Sequence, residues 1–445
     1  MTMENPEKIS IFLSGWLWLK ALPLKGLAKI GEIARQTKKI ADDDPRRLIH
    51  SLKVGLALTL VSLFYYFQPL YNSFGVSAMW AVITVVVIFE FSVGATLGKG
   101  LNRGFATLAA GALGLGAHSL ASATGKSSEP IIIGLFVFIQ AVASTFIRFF
   151  PGVKARYDYG LLIFNLTFCV ISISGLRTDE ILELAQKRLL TVLIGASTCV
   201  IVSIFVYPVW AGEDLHKLVA KNIEKLGDFL EGFADECFRT SEDEKTCLVG
   251  LSSVLDSKSN VETLANFARW EPGHGQFMYR HPWNQYLRIA NLTRQGACRV
   301  EALHCYLNSV TQAPQEIQAM ISRTSSEAGK ALKELARALE TMTRPSCPNP
   351  DISNLKNASR NLNSLLKSDF WQEHTSLLQV LPVATVASLL NDTVISVEKI
   401  ADAIEELSSL ANFKGKENNG VEENKNNVSH VSIVIDGGQS SAQAD

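Results

Sequence analysis

The stretch from Met79 to Gly104 reads MWAVITVVVIFEFSVGATLGKGLNRG and runs an apolar segment straight into a glycine-rich segment that carries Lys99 and Arg103. An ionisable residue inside a bilayer costs roughly 2.5 to 3.5 kcal/mol on insertion scales, so it usually faces protein or a water-filled path. The two cations stand four residues apart and share one helix face. They therefore either line a polar path through a membrane or mark a boundary at which the next span begins after Gly104.

Hydrophobic residues form 47% of the 445 residues and are spread unevenly. Between about residues 48 and 210 several apolar runs approach the ~20 residues needed to span hydrocarbon, and no such run follows Trp210. This pattern predicts an all-α membrane protein. Six transmembrane helices are expected over 48–211, followed by a cytosolic helical-bundle domain over 212–413.

Proline, glycine and charged residues separate the apolar runs. The second predicted span contains the apolar part of the opening stretch, and the glycines that follow in the third span let helices approach closely in lipid. The six predicted spans cover about 48–67, 76–91, 94–120, 131–150, 157–174 and 188–210.

Six spans place both termini on one side of the membrane, and the distribution of Lys and Arg selects that side. The N-terminal arm and the links after spans two and four are basic, whereas the first link carries neither Lys nor Arg. Both termini are therefore predicted to be cytosolic. The arm, residues 1–47, includes an amphipathic segment in which Trp16 and Trp18 would lie at the level of the lipid headgroups.

From Glu213 onward narrow apolar stripes recur at alternating spacings of three and four, as in helices that pack along a heptad seam. Such seams predict a helical bundle and could also bind a second subunit. Residues 414–445 are charged, Asn-rich and Ser-rich, so they cannot bury enough apolar surface to fold, and a disordered tail is predicted. The two clearest stripes are Ile289, Leu292, Gly296, Val300, Leu303, Leu307 and Val310, and then Val397, Ile400, Ile404, Leu407 and Ala411.

Enzyme motifs are absent from the sequence, which contains no P-loop, no GxSxG and no HExxH. The net charge of −1 provides no global field that would attract nucleic acid, and no cofactor motif is present. His274 and His281 lie in WEPGHGQFMYRHPW among Pro and Gly, with no Cys nearby. An ordered aromatic corner between helices is therefore favoured over a zinc site.

Arg188 stands at the start of the sixth predicted span and would give an anion route a second cationic point. Rings of cationic side chains are the usual device of anion-selective pores. The basic residues Arg148, Lys154 and Arg156 are instead interpreted as signals of membrane topology. Asp158 is near enough in the sequence to pair with one of them.

Acidic residues lie in the predicted outer link between spans five and six, among them Asp179 and Glu183. Exposed carboxylates are usually solvated. A hard divalent or trivalent cation could instead bind there through oxygen ligands. The sequence leaves both interpretations open.

Four stretches together resemble the plant aluminium-activated malate transporter family. They are WAVITVVVIFEFSVGATLGKGLNRG, the link RFFPGVKARYDYG, the exit from span six FVYPVWAGEDLHK, and the WEP corner at residues 270–272. The resemblance runs from about Asp44 to Ala411, and motifs of this length are specific. It leaves out the first 40 residues and the tail beyond Phe413.

The resemblance implies a homodimeric anion channel in lipid, with six membrane helices per subunit and a helical cytosolic domain, that passes malate and other organic or inorganic anions. Basic residues line the pore in that family. The pattern places Arg103 and Arg188 at matching positions, with Lys99 as a further candidate. Family members occupy the plasma membrane, which we favour here, or the vacuolar membrane.

The resemblance also implies two regulators. The stretch 205–217 looks like the family segment linked to inhibition by γ-aminobutyrate, which makes Phe205 and Tyr207 candidates for that sensitivity. Members gated by the aluminium ion resemble this chain around Asp179 and Glu183. Some of them carry an acidic residue in the first outer link, where this chain has neutral residues at 72 and 73, so part of that acidic pattern is missing here.

These observations predict a passive anion channel in which two subunits place Arg103 and Arg188 around a water-filled path. The alternative is a proton-coupled exporter of organic or aromatic acids, with Glu90 as the proton carrier. A third class is a membrane-anchored signalling protein whose helical tail binds partners and whose spans conduct nothing.

Overall fold

A computed structural model describes residue 32 and residues 35–67, 75–125, 127–176, 181–236, 244–306, 315–346, 349–367 and 377–414. Within these ranges the chain is helical, with two isolated β-bridges and no strand. The main helices are α1 Pro45–Tyr66, α2 Met79–Ile88, α3 Val93–Ser122, α4 Glu129–Ile147, α5 Pro151–Ser174, α6 Ile181–Phe205, α7 Ala211–Glu236, α8 Glu244–Leu255, α9 Lys258–Ala268, α10 Trp283–Cys305, α11 Gln315–Glu340, α12 Pro350–Lys367 and α13 Leu377–Leu410.

Five described helices, α1 and α3 to α6, are long and apolar enough to cross a membrane. Their starting residues follow from local chemistry. Asp44 caps α1 by accepting from the Arg46 amide at 3.1 Å, and Pro45 occupies the first position, where its missing N–H is not needed. The prediction of an all-helical chain with several membrane spans is thereby confirmed.

The second predicted span, 76–91, is not one continuous helix. A 3₁₀ turn at Gly75–Ala78 leads into the 10-residue α2, and residues 89–92 are non-helical. The turn is about 8 Å long, and α2 is about 15 Å long. Residues 91 and 92 form a bend, so the turn and α2 together are shorter than the ~30 Å thickness of hydrocarbon.

Hydrogen bonds hold residues 89–92, which we call the α2–α3 break. Thr96 Oγ1 accepts from the Glu90 amide at 3.0 Å and lies 3.1 Å from the Glu90 carbonyl oxygen. Ser92 caps α3 by accepting from the Ala95 amide at 3.3 Å. Non-helical backbone at membrane depth is tolerated only where protein or water forms hydrogen bonds with its N–H and C=O groups. Thr96 and Ser92 provide such bonds here from within the chain.

Contacts at helix ends show which ends lie together. Arg46 at the start of α1 donates to Asp214 of α7 at 2.9 Å. The Val93 amide at the start of α3 donates to the Val209 carbonyl, just beyond α6, at 2.9 Å. The starts of α1 and α3 and the end of α6 therefore lie beside α7.

Helices α3 and α5 run parallel. Asn102 near the start of α3 donates to the Arg156 carbonyl near the start of α5 at 3.0 Å. At the other end, a β-carbon placed on Gly175 would lie 3.2 Å from His118 Nδ1. The starts of α1, α3 and α5 thus share one end of the bundle, and the chain returns to that end through α2, α4 and α6.

Two helices differ in extent from the predicted spans. Helix α6 covers Ile181–Phe205 and not 188–210, because much of the predicted polar link continues the helix, with Glu183 and Lys187 paired one turn apart at 2.5 Å. Helix α5 begins at Pro151 and not at residue 157, because proline is tolerated in the first helical turn.

Helices α7 to α13 pack around one core of buried apolar side chains that includes Leu226, Val300, Leu335 and Ile404. The described residues of both predicted seams lie inside this core or pack against it. Other helices of the same chain therefore cover the seams. This corrects the expectation that the seams are free to bind a second subunit.

Both chain ends extend beyond the described residues. The segment with Trp16 and Trp18 lies outside them, and residues 35–43 form a helix before α1. Lys414 is not part of a disordered tail: its amide donates to the Met342 carbonyl at 3.1 Å, and its carbonyl accepts from the Arg344 amide at 2.8 Å. Residues 415–445 lie outside the described residues.

Candidate functional site

Lys99 lies in the second turn of α3, beside the α2–α3 break. Its ammonium group pairs with the Glu90 carboxylate and lies 5.7 Å from the centre of the Tyr159 ring. That distance is within cation–π range. Helix α3 begins at Val93, and not after Gly104 as one of the two interpretations required. Lys99 and Arg103 therefore both lie within the helix.

Arg103 lies one turn further along α3, with only 2% of its surface exposed. Its Nη1 donates to the Tyr159 hydroxyl of α5 at 3.0 Å. Its Nε is buried and finds no acceptor among the described residues. A buried guanidinium is costly unless a carboxylate pairs with it, and the part of the chain that the structure describes supplies none here.

Arg188 lies in α6 and is 4% exposed. Its guanidinium carbon stands 3.8 Å from the centre of the Trp80 ring of α2, a close cation–π contact. Its Nε likewise has no acceptor within the described ranges. Helices α3 and α6 pack side by side, since a β-carbon on Gly104 would lie 3.9 Å from Leu193. Arg103 and Arg188 therefore lie on neighbouring helices, and their like charges act on each other.

The Arg103–Arg188 pair forms a buried region of uncompensated positive charge among α2, α3, α5 and α6. Polar groups that are buried and unsatisfied call for a functional explanation, and charged donors make the strongest hydrogen bonds to anionic acceptors. The arrangement can therefore stabilise an anion. Lys99 differs from the pair because it is one-third exposed and already bound to Glu90.

A buried carboxylate fixes the junction between the membrane helices and α7. Glu271 of the WEP corner accepts from the Ala211 amide at 2.6 Å and from the Gly212 amide at 3.0 Å, at the start of α7. Burial raises the pKa of Glu271, and these two hydrogen bonds oppose that rise. A β-carbon on Gly94 would lie 2.3 Å from the Phe267 carbonyl oxygen, so only glycine lets α3 approach α9 this closely.

The aromatic corner predicted around His274 and His281 is present. The His274 ring stacks on Trp210 with centroids 3.8 Å apart, and the His281 ring packs 4.7 Å from that of Trp283. Burial lowers the pKa of His281 to about 4, so its imidazole is neutral at pH 7. No group of three or more His, Cys, Asp or Glu among the described residues could hold a metal ion.

The two residues expected to respond to γ-aminobutyrate lie at the exposed end of α6. Phe205 is 80% exposed, and Tyr207 is 56% exposed with a left-handed φ of 47°. They lie about 25 Å along the helix from Arg188, at 1.5 Å per residue. The structure therefore does not bring them to the arginine pair.

The two expected aluminium ligands are only partly described. Asp179 lies outside the described residues. Glu183 opens α6 and pairs with Lys187. The proposed acidic site therefore stays a prediction.

Two residues that contact the arginines, and a buried lysine of α1, were not found by sequence reasoning. Trp80 stands in the middle of an apolar run, and Tyr159 belongs to RYDYG, a stretch distinguished only by the family resemblance. Lys53 of α1 is 1% exposed and has no hydrogen bond or ion pair with any described residue. The sequence could have identified Lys53, because a lysine inside an apolar run is unusual.

Known proteins are similar over most of this chain. The family model described as aluminium activated malate transporter matches residues 38–372. Aluminum-activated malate transporter 2 of Arabidopsis thaliana is 54% identical over 402 residues, covering 88% of this chain and 80% of the relative. Aluminum-activated malate transporter 7 of the same plant is 50% identical over 428 residues, covering 88% and 84%. Aluminum-activated malate transporter 1 of Triticum aestivum is 44% identical over 433 residues, covering 93% of each chain.

These matches extend from the first membrane helix deep into the C-terminal helices. They confirm a multi-pass membrane protein of a transporter family and not an enzyme. The chain belongs to the aluminium-activated malate transporter family.

Proposed function

We propose that this chain is a passive channel for malate and other organic or inorganic anions. The Arg103–Arg188 pair carries the proposal, because both cations are buried in membrane-span candidates and lack an acidic partner among the described residues. At about 4 Å and an effective dielectric constant of about 20, one such charge attracts an anion by about 4 kcal/mol. An attraction of this size lowers the barrier to entry without preventing exit.

The proposed topology has six crossings and both termini in the cytosol. The grouping of the α1, α3 and α5 starts with the α6 end supports it, because each pair of crossings must return the chain to that end. In this arrangement the 3₁₀ turn, α2 and the residues of the α2–α3 break make the second crossing. The plasma membrane is the membrane we propose.

We also propose a homodimer. Helices α3 and α6, which carry the arginine pair, leave an apolar groove of about 530 Å³ open on the single chain. Gly100 and Gly104 line it, and small residues at this spacing let membrane helices pack closely. Packing of a second copy there would place two arginine pairs near one path.

Whole-cell recording with malate as the only permeant cytosolic anion tests the channel. We expect Arg103→Gln and Arg188→Gln each to reduce the current at least tenfold, since a loss of about 1.4 kcal/mol already has that effect. The matched control is Arg288→Gln, an exposed arginine of α10 that pairs with Glu406. Normal current through both buried-site variants, at equal surface expression, would falsify the pore assignment.

The alternative remains a proton-coupled exporter that uses Glu90. The ion pair between Glu90 and Lys99 disfavours it, because a proton carrier would have to release that cation in every cycle. A reversal potential that follows the malate gradient alone, at several pH gradients, excludes obligatory coupling. Loss of transport in Glu90→Gln with a pH-dependent reversal potential would favour the exporter. The absence of any anion flux from purified protein in liposomes would favour a signalling role.

The proposed regulators are γ-aminobutyrate at Phe205 and Tyr207, and the aluminium ion at Asp179 and Glu183. The exposure of both aromatic rings supports the first of these sites. External aluminium applied to the wild type and to Asp179→Asn tests the second, and equal responses would reject it.

A further inference from the structure

A cavity of about 220 Å³ lies where α3 and α5 begin and the segment around the WEP corner docks. The arginine pair does not line it. Its walls include Lys99, Lys154 and Arg156, the amide side chains of Asn102 and Asn266, and the ring of Trp270.

Two of the three cations that line this cavity, Lys154 and Arg156, form no ion pair with the described protein, whereas Lys99 pairs with Glu90. The carboxylate that lines the cavity, Asp158, accepts two hydrogen bonds from Arg148 at 2.7 and 3.2 Å. Lys154 and Arg156 have no ion pair or side-chain hydrogen bond with any described residue. Both cations are therefore available to an external anion.

Arg269 adds to the positive field. Its guanidinium donates to the neutral side chains of Asn266 and Asn284 at 3.1 and 2.6 Å. Its pKa is lowered first by burial and then by the charge of Arg156. The like charges of Arg156 and Arg269 thus act on each other and add to one positive field.

Exposed aromatic side chains place this cavity at the membrane boundary. Phe149 and Phe150, between α4 and α5, are 78% and 54% exposed, and Tyr157 is 47% exposed. Two membrane-span candidates, α3 and α5, begin at the cavity. Aromatic rings beside Lys and Arg at the ends of membrane helices are typical of the headgroup layer.

We propose that this cavity binds the phosphorylated headgroup of an anionic membrane lipid. Lys154 and Arg156 would contact the phosphate, and the acyl chains would lie along Phe149 and Phe150. Basic pockets between membrane helices on the cytoplasmic side bind such headgroups. The cavity is smaller than the roughly 300 to 1,000 Å³ of pockets that enclose drug-sized ligands, so it suits a lipid that inserts its phosphate and leaves the acyl chains outside.

Fluorescence anisotropy of a labelled short-chain phosphatidylinositol bisphosphate, titrated with detergent-solubilised full-length protein, tests the proposal. We expect the double substitution K154Q/R156Q to weaken binding about 30-fold. Each basic residue near an anionic lipid surface contributes about 1 kcal/mol of binding free energy, and two are removed. The matched control is K330Q/R337Q, which removes two exposed cations of α11 that do not line the cavity. Melting temperatures of all three proteins verify folding.

Equal affinity of K154Q/R156Q and wild type would overturn the proposal, and so would an equal loss in K330Q/R337Q. Inorganic phosphate and malate serve as soluble competitors. Displacement of the lipid probe by either one at low millimolar concentration would assign the cavity to a soluble anion and reject the lipid. Retention of the probe in both competitors, with selective loss in K154Q/R156Q, supports the lipid site. The assay involves no ion flux, so its result is independent of the proposed channel activity.

Discussion

This chain buries charge in two contrasting ways. In the membrane helices, Arg103 and Arg188 are 2% and 4% exposed, and each keeps an Nε without an acceptor among the described residues. At the start of α7, Glu271 is 7% exposed, and both of its carboxylate oxygens accept backbone amides. The two arginines and Glu271 are thus similarly buried, but within the described part of the chain only the Glu271 carboxylate has hydrogen-bond partners for all of its charged atoms.

The difference separates a structural charge from a functional one. A carboxylate that satisfies two amides at a helix start stabilises the folded chain, since those amides have no partner within the helix. Two neighbouring cations with free donors add repulsion and desolvation cost, so packing alone does not explain them. Substitution should therefore reduce stability at Glu271 and anion current at the arginine pair.

The largest expected effect is on stability at Glu271. Glu271→Ala leaves the Ala211 and Gly212 amides buried without an acceptor, at about 1 to 3 kcal/mol each, so we expect the free energy of unfolding to fall by about 4 kcal/mol. Arg103→Gln should change it by less than about 1 kcal/mol, because the charge repulsion with Arg188 is lost together with one hydrogen bond. Thermal unfolding of the purified protein in detergent measures both.

If Arg103→Gln lowers the free energy of unfolding as much as Glu271→Ala does, the distinction between a structural and a functional charge is wrong. Glu271→Gln sharpens the test, because it keeps the shape of the side chain and one acceptor oxygen. It should lie between the wild type and Glu271→Ala. A melting temperature of Glu271→Gln equal to that of the wild type would show that the charge contributes nothing.

An intermediate effect is expected from acid at the aromatic corner. The pKa of His281 is lowered from 6.5 to about 4, so between these values the unfolded chain binds more protons than the folded chain. Stability from His281 is thus complete above pH 6.5 and is lost as the pH falls towards 4. Between pH 7 and pH 5 this loss amounts to about 2 kcal/mol.

Melting curves of the wild type and of His281→Phe at pH 7 and pH 5 check this expectation. The variant has no imidazole to protonate at this position, so its melting temperature should depend less steeply on pH. His216, whose pKa burial also lowers, remains in both proteins, so its own protonation persists in the variant. Identical pH dependence of the melting temperature in the two proteins would show that His281 does not cause the loss of stability in acid.

The helices and the cationic half of this contrast could be predicted from the sequence. Hydropathy and proline positions located the helices, since an apolar run of about 20 residues has few other folds available. The spacing of Lys99 and Arg103 predicted a shared helix face, and Arg188 was predicted as the second cation. The WEP corner was recognised as aromatic and ordered.

Other features depend on contacts that no sequence pattern specifies. The role of Thr96 in satisfying the α2–α3 break requires α3 to turn back on that break, so the length of α2 could not be inferred from hydropathy. The early start of α6 depends on the Glu183–Lys187 pair inside a stretch that is polar enough to resemble a loop. The amides that donate to Glu271 lie 59 and 60 residues away in the chain, beyond the reach of local rules.

The smallest expected effect concerns hydroxyl groups, in which the same contrast recurs. Thr198 of α6 donates to the Ile194 carbonyl one turn back at 2.9 Å, whereas Thr107 of α3, one turn beyond Arg103, is buried with no partner among the described residues. If Thr107 shares the helix face and the hydrated path of Arg103, Thr107→Val removes one donor to a passing anion. We expect the malate current to fall about fivefold, equivalent to one hydrogen bond of about 1 kcal/mol, with no loss of thermal stability.

Thr198→Val is the isosteric control and should leave the current unchanged, because its hydroxyl already donates to a helix carbonyl. Unaltered current in Thr107→Val, together with a higher melting temperature, would show that this hydroxyl is only a packing defect, and would restrict the functional charge to the arginine pair itself.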